Sequence, residues 1–478
     1  MRPGRLVLHA TTVVDVLTGQ LQPDVDITID GDRITAITPA AQSITDERAD
    51  HVDAAGTFAV PGFCDMHAHA IGGRHDPEPT LRLMMSAGVT SFRQMSGSRR
   101  LLAQRAEGRL SLPIDGAKPL AMPGDILVGV NAGTDRAAIR EVRRQADSGA
   151  DFIKVAMVTP SVFDDVTAEA TRLGIAVAGH LPAGTDLRGA SARAMRSIEH
   201  LGPGPSVIAA CCTDEDDVRR DINSEGAHRI PSLPPALQRV MSPISSRIIE
   251  RLVINPLLIG GARDASRIAA ADNTFDAGRA RTLARQFVAD ETWHCPTLIR
   301  LRTQQYADDP VYGTDPDLRY MSTGAIRRWR SAARRYAARP TDVREVYRAH
   351  YDRQLAMVAI FDQEGVPMLA GSDAGGAGWE VPGYALHREF DQLAAAGLAP
   401  LRILQMVTSN AARFLGRNAT MGVVAPGRKA DLVLLAADPT QDVSHLHQIV
   451  AVAHGGQYLP ARRLAALAES VITAGGAH

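Results

Sequence analysis

Residues 61–69 read "PGFCDMHAH", with His67 and His69 two positions apart in an apolar run. Side chains alternate faces along a strand, so both imidazoles share one face while Met66 and Ala68 take the other. A buried imidazole needs a hydrogen-bond partner or a metal, and a packed, hydrogen-bonded pair satisfies the stretch as well as a metal does. Gly72, Gly73 and Pro77 follow closely, which places the pair at the end of a strand. Further apolar, strand-like pieces lie downstream: "GVTSFRQM", "DFIKVAMV", "GIAVAGH", "RSIEHL", "ETWHCPTLI" and "VPMLAGSDAG". Helical patterns alternate with them, among them 135–149 and 400–416. Repeated β-then-α alternation over some 350 residues implies a parallel sheet, and a (β/α)8 barrel is the usual closed form at this length.

The first sixty residues differ in texture, reading as short strands broken by Thr-Gly and Asp-Gly turns. The last sixty hold a similar run, "GVVAPGRKADLVLLAADP" followed by "HQIVAVAHGGQYL". The expected fold class is therefore α/β: a distorted TIM (β/α)8 barrel over 61–417, with a small β-sandwich domain built from both termini, 1–60 plus 418–478. Residues 201–290 separate two strands by more than a usual loop and read as a lid or insertion. The charged helical run 325–354, with Trp329, Tyr336, Tyr347 and Tyr351 interleaved, reads as a solvated helical face near the barrel mouth.

Composition narrows the partners. The 478 residues carry 52 cationic and 53 acidic side chains, a net charge of −1 that offers no attraction for nucleic acid or an anionic membrane. No stretch reaches the roughly 18 apolar residues of a membrane span, and the N-terminus reads as a strand instead of a leader. The four cysteines have neither disulfide nor zinc-finger spacing, so reduced thiols in a cytoplasmic protein are expected. A small-molecule substrate and a homo-oligomeric state complete the expectation.

Only three of the cationic residues are lysine: Lys118, Lys154 and Lys429. Lys154 lies inside the apolar run "DFIKVAMV", where an ammonium loses hydration and its pKa falls. Snorkelling from a strand end accounts for it equally, though arginine would serve that purpose in this arginine-rich chain. An uncharged amine also takes up CO2, giving a carbamate whose two oxygens can each bind a cation. His180 closes "GIAVAGH", His200 closes "RSIEH", and Asp373 follows the apolar run of "VPMLAGSDAGG". Each alone is compatible with a structural role, Asp373 as a turn former among them. Together, four imidazoles, a carbamate and a carboxylate at strand ends suit zinc or another borderline divalent ion. Two such ions about 3.5–4 Å apart would acidify a shared water and clamp the reacting group.

With these motifs assembled, the chain resembles the amidohydrolase superfamily, in its imidazolonepropionase-like and Xaa-Pro-dipeptidase-like branch, which also holds ochratoxinase-like enzymes. The resemblance rests on "PGFCDMHAH", "DFIKV", "GHLPAG", "SIEH", "GSDAG" and the tail "TSNAARFLG…GVVAPGRKADLVLLAADP". It implies a binuclear site in a distorted barrel: His67 and His69 on the buried ion with Asp373, carboxylated Lys154 as the bridge, and His180 with His200 on the exposed ion. The activity it implies is cleavage of an amide or peptide-like C–N bond by a metal-bridging hydroxide, with Asp373 as base and then acid and His200 as an aid to the oxyanion. A dipeptide or N-acyl amino acid is the expected substrate. Arg93, His294 and Tyr384 are candidate substrate-binding residues. The competing readings are a mononuclear cyclic amidohydrolase or deaminase, a lactone or ester hydrolase, and a non-enzymatic scaffold.

Overall fold

The computed structural model describes residues 5–42, 47–72, 76–182, 184–202, 204–224 and 254–477. Its N-terminal strands are β1 (Arg5–Val14), β2 (Leu21–Asp30), β3 (Arg33–Pro39), β4 (Ala49–Asp53) and β5 (Phe58–Pro61). There follow β6 (Phe63–Ala68), β7 (Val89–Gln94) and β8 (Lys118–Ala121), which form one parallel sheet. A second parallel sheet has five strands: β9 (Leu127–Val128), β10 (Phe152–Met157), β11 (Ala176–Gly179), β12 (Met195–Glu199) and β13 (Trp293–Cys295). The last strands are β14 (Leu432–Leu435), β15 (Ile449–His454) and β16 (Gln457–Pro460).

Strands from the two ends of the chain join in one eight-stranded sheet, in which β14 lies between β5 and β15. Its buried face is a cluster of β-branched and leucine side chains, including Leu8, Ile27, Ile29, Leu432 and Leu434. Not all of the C-terminal stretch is strand: the helix Ala461–Thr473 packs on the helix Glu78–Ser86, and thus on the central α/β layers.

Helices cross between the parallel strands as the alternation requires. Asp135–Asp147 starts on Thr134, whose side chain accepts from the Ala137 amide. Pro160–Leu173 begins with proline in its first turn and stops at Gly174, whose φ of +68° suits a glycine. All six residues of β6 are buried, as expected of a strand covered on both faces.

The segment Pro367–Ala374 lies between the two parallel sheets. Its Ala370 and Ala374 carbonyls accept from Met66 and His69, while the Leu369 amide donates to His294. Among the described residues it forms isolated bridges, Ala68 with Ala374 and His294 with Met368, in place of a continuous strand, and Asp373 near its end adopts a left-handed conformation (φ 58°). Close approach is the reason for Gly371: a Cβ there would stand 2.6 Å from the His67 Cβ.

Three expectations need adjustment. The helical run 400–416 is two helices, Pro400–Val407 and Ser409–Phe414, broken at Thr408. The run 325–354 belongs to two helices, Thr323–Ala337 and Thr341–Gln363, separated at Pro340. Trp329, Tyr336, Tyr347 and Tyr351 are all buried, so the aromatic side of that run is core and only its charged side meets solvent. Of the stretch 201–290, residues 225–253 lie outside the described residues. Its helix Ala277–Ala289 packs into the main core through Leu283 and Phe287, so that part is a crossover helix and not a lid. All four cysteines are free and buried. Among the described residues no helix is long and apolar enough to cross a membrane.

Candidate metal centre

His67 is fixed before any metal is considered. Its Nδ1 donates to Glu199 Oε2 at 2.6 Å. Glu199 Oε1 in turn accepts from Arg93 Nη2 at 2.8 Å and from the Ser197 hydroxyl. Burial raises the Glu199 pKa, but Arg93 and His67 outweigh it and hold the carboxyl well below its usual range. An anionic Glu199 therefore fixes the His67 ring through Nδ1 and turns Nε2 towards Asp373.

That Nε2 faces Asp373 Oδ1 at 3.2 Å, and His69 Nε2 stands 3.0 Å from the same oxygen. His67 Nε2 and Asp373 Oδ1 are both buried without a hydrogen-bond partner among the described residues. Two buried polar atoms that face each other without a hydrogen bond mark a place where a cation would satisfy both. Space is kept open beside them by Gly376, where a Cβ would collide with Asp373 Oδ1 and the His69 ring. The donor set, two imidazole nitrogens and a carboxylate, fits a borderline divalent ion.

The remaining expected residues converge on the same point. The His67 and His200 rings lie 4.6 Å apart and those of His180 and His200 5.1 Å apart. His67, His200 and Asp373 offer ligand atoms within 4.8 Å of one another. A second group, His67, Glu199 and Cys295, is equally close, but there His67 has already given Nδ1 to Glu199. Burial depresses the pKa values of His69, His180 and His200, so each ring is neutral near pH 7, as a ligand must be. Lys154 sits three residues into β10, not at its end, and its amine is buried with no hydrogen-bond partner among the described residues. Burial pulls that amine down to about 8, against the attraction of Glu199 and Asp373. A substantial neutral fraction is thus present at physiological pH, which carboxylation requires.

The three substrate-binding candidates are placed elsewhere. Arg93 is fully buried beneath the site, donating to the Met66 carbonyl, Ser197 and Glu199 and lying over the Phe414 ring. With these partners it has no free donor face for a substrate carboxylate. His294 points from β13 into the helical layer, between the rings of Phe287 and Phe361 at 4.5 and 4.6 Å. Burial drives its pKa down to about 3, so it is a neutral core residue. Tyr384 stacks on Tyr320 at 5.5 Å in an aromatic cluster with Trp329 and Trp379. None of the three touches the histidine cluster.

Several residues at the site were not anticipated. Arg300, in the first turn of the helix Leu298–Gln305, donates from Nη1 to His200 Nε2 at 2.8 Å and also to Asp373 Oδ2. His200 Nδ1 donates to Thr297 Oγ1, whose own proton goes to the Pro296 carbonyl. Asp65 receives the Ser372 amide and hydroxyl at 3.0 and 2.6 Å, tying the Asp373 loop to β6. Glu380 is buried with both carboxylate oxygens unpartnered among the described residues.

Glu389 anchors the helix that carries Arg300. Its Oε2 accepts from the Ile299 amide at 2.7 Å, and burial pushes its pKa up to about 8. The folded chain therefore keeps this proton where the unfolded chain has lost it. Stability contributed by the group is complete below about pH 4.5 and is lost as pH rises towards 8, at about 1.4 kcal/mol per pH unit. Glu389→Gln keeps the acceptor and removes the titration. Urea denaturation midpoints should then depend less on pH between 5 and 8, and an unchanged slope would dismiss the role of this group.

Residues 245–459 match the model of the amidohydrolase family. That stretch, a little under half of the chain, is similar to the amidohydrolase family. Of the six expected ligands only Asp373 falls inside the matched range, so the other five rest on geometry. Among solved structures, this chain resembles "AH, Bottromycin amidohydrolase", with a TM-score of 0.69 and 22% identity over 99% of this chain and 91% of that one. It also resembles a Xaa-Pro dipeptidase with methionine bound in its active site, with a TM-score of 0.59 and 17% identity over 95% and 100% of the two chains. Identities this low carry the fold alone. A curated relative, adenine deaminase 3 of Rhizobium meliloti, is 34% identical over 91 residues, which is 19% of this chain. The match spans only 15% of that relative's length.

Proposed function

We propose that this chain is a metal-dependent hydrolase that cleaves an amide or peptide-like C–N bond of a small molecule. The carrying observation is the buried, partnerless pair of His67 Nε2 and Asp373 Oδ1, with His69 at the same oxygen. His67, His69 and Asp373 would hold the deeper ion, probed first as Zn2+. His180 and His200 would hold the outer one, with a carboxylated Lys154 bridging. In forming that carbamate, the neutral Lys154 amine adds CO2 and releases one proton. The scaffold we read as a distorted (β/α)8 barrel, 61–417, with a composite domain from 1–60 and 418–478.

Bound divalent ions would contribute an acidified water and a polarised carbonyl. This chain's own residues do the rest. Glu199, itself held by Arg93, keeps His67 in one tautomer and one orientation. Asp373 would accept a proton from the attacking water and return it to the leaving nitrogen. Its left-handed backbone, like that of His200 (φ 57°), turns the side chain inward from the end of its segment. A cavity of about 380 Å3, bordered by His200, Arg300, Leu257, Ile268 and Tyr347, adjoins the cluster and has the size for a small peptide-like substrate.

The test is metal analysis of the purified chain, with hydrolysis of a dipeptide and N-acyl amino acid panel followed by amine release. Metal-dependent turnover of some member, abolished by chelation and restored by Zn2+, is the expected result. Ammonia release from adenine without amide cleavage would favour the deaminase reading, which the local similarity to adenine deaminase supports. Turnover of lactones alone would favour the ester reading.

A further inference from the structure

The second cation seat is not open to a metal ion without a rearrangement. His200 gives its Nδ1 proton to Thr297, so Nε2 carries the lone pair that would bind the outer ion. Arg300 Nη1 lies 2.8 Å from that nitrogen and bonds Asp373 Oδ2 at the same time. The guanidinium thus holds a ligand of the outer ion and one oxygen of Asp373, while Oδ1 remains with His67 and His69. A guanidinium and a divalent ion cannot share one dry seat, since like charges a few ångströms apart repel strongly there.

Arg300 has somewhere else to go. Its helix is anchored by Glu389, so the side chain would move on a fixed backbone. Glu380 lies seven residues beyond Asp373, fully buried, with neither carboxylate oxygen partnered among the described residues. Burial, with Asp373 repelling its charge, holds the Glu380 carboxyl well above its usual range, while Arg300 favours ionisation. An unpartnered buried carboxyl is costly, and an incoming guanidinium would satisfy it as it gives up its proton.

We propose that Arg300 is a displaceable, protein-borne cation: it fills the seat between His200 and Asp373, yields it to the outer divalent ion, and then pairs with Glu380. This rests on the reading of the cluster as a divalent-metal centre. The first ion then binds tightly at His67, His69 and Asp373, and the second binds weakly because it must evict a resident charge. Metal supply would set how much of the chain is in the two-ion state.

The test is a titration of the metal-free, full-length chain with Co2+ in bicarbonate buffer, read by calorimetry and by the visible absorption of the bound ion. In the unaltered chain the second Kd should exceed the first at least tenfold. Arg300→Met should lower the second Kd tenfold or more, and Glu380→Gln should raise it, each moving the second Kd more than the first. An unaltered second Kd in either variant overturns the proposal. Should Arg300→Met lose its melting transition, Arg300→Lys serves instead and should give a smaller shift in the same direction; no shift there also overturns it. His67→Ala separates the two readings: if it binds Co2+ like the unaltered chain, or if the latter binds none, the metal centre itself is refuted.

Discussion

Replacing Asp373 with asparagine is expected to reduce kcat by about 10³-fold, in the range lost when a positioned proton carrier is removed. Asparagine preserves the shape of the loop and its tie to Asp65 through Ser372. What it loses is the negative charge facing His67 and His69, and with it the ability to accept a proton from water. Burial opposes that charge, but Arg300 and His67 outweigh it and keep the carboxyl well below its usual range, so the native residue is ionised throughout the working pH range. The measurement is kcat on the best substrate from the amide panel, alongside metal content. A loss smaller than tenfold with metal retained would remove Asp373 from the chemistry.

Arg93→Met should destabilise the fold by about 3–5 kcal/mol, the usual result of stripping one partner from a buried ion pair. Arg93 and Glu199 are both fully buried and meet at 2.8 Å. Without the guanidinium, Glu199 keeps only His67 and Ser197 against its desolvation. The imidazole proton then becomes contested, and metal affinity should fall by about 10–100-fold because a supporting residue of the ligand is lost. Glu199→Gln in the same chain should recover part of the stability but not the metal affinity. Urea denaturation and Co2+ titration check the two halves separately. Stability within 1 kcal/mol of the native chain would show that the pair does not hold the site together.

The candidate ligands were legible in the sequence because those residues break a pattern. His67, His180 and His200 stand where a buried strand would favour an aliphatic side chain, and Lys154 is one of three lysines in an arginine-rich chain. Their supporting residues break no pattern. Arg300 sits in "TLIRLRTQQ", which reads like any amphipathic helical turn among dozens of arginines. Glu199 was hidden by alternation: next to an inward His200 it should face outward. The left-handed turn at His200 cancels that rule and brings both residues inward. Arg93 and His294 failed as substrate-binding candidates for a related reason. A polar residue in a buried strand marks a need for partners, but the partner can be another residue of the core as easily as a ligand.

The eight-stranded sheet has a bearing on how the chain is made. β14 lies between β5 and β15, so about 370 residues separate two neighbours that share a register. While the ribosome is still producing the middle of the chain, β5 has an unsatisfied edge and the apolar face around Leu8 and Ile27 lacks Leu432 and Leu434. That edge leads directly into β6, which carries His67. Nascent chains stalled before residue 432 should therefore be easy prey for proteases and self-association, and resistance should appear abruptly once the final strands emerge.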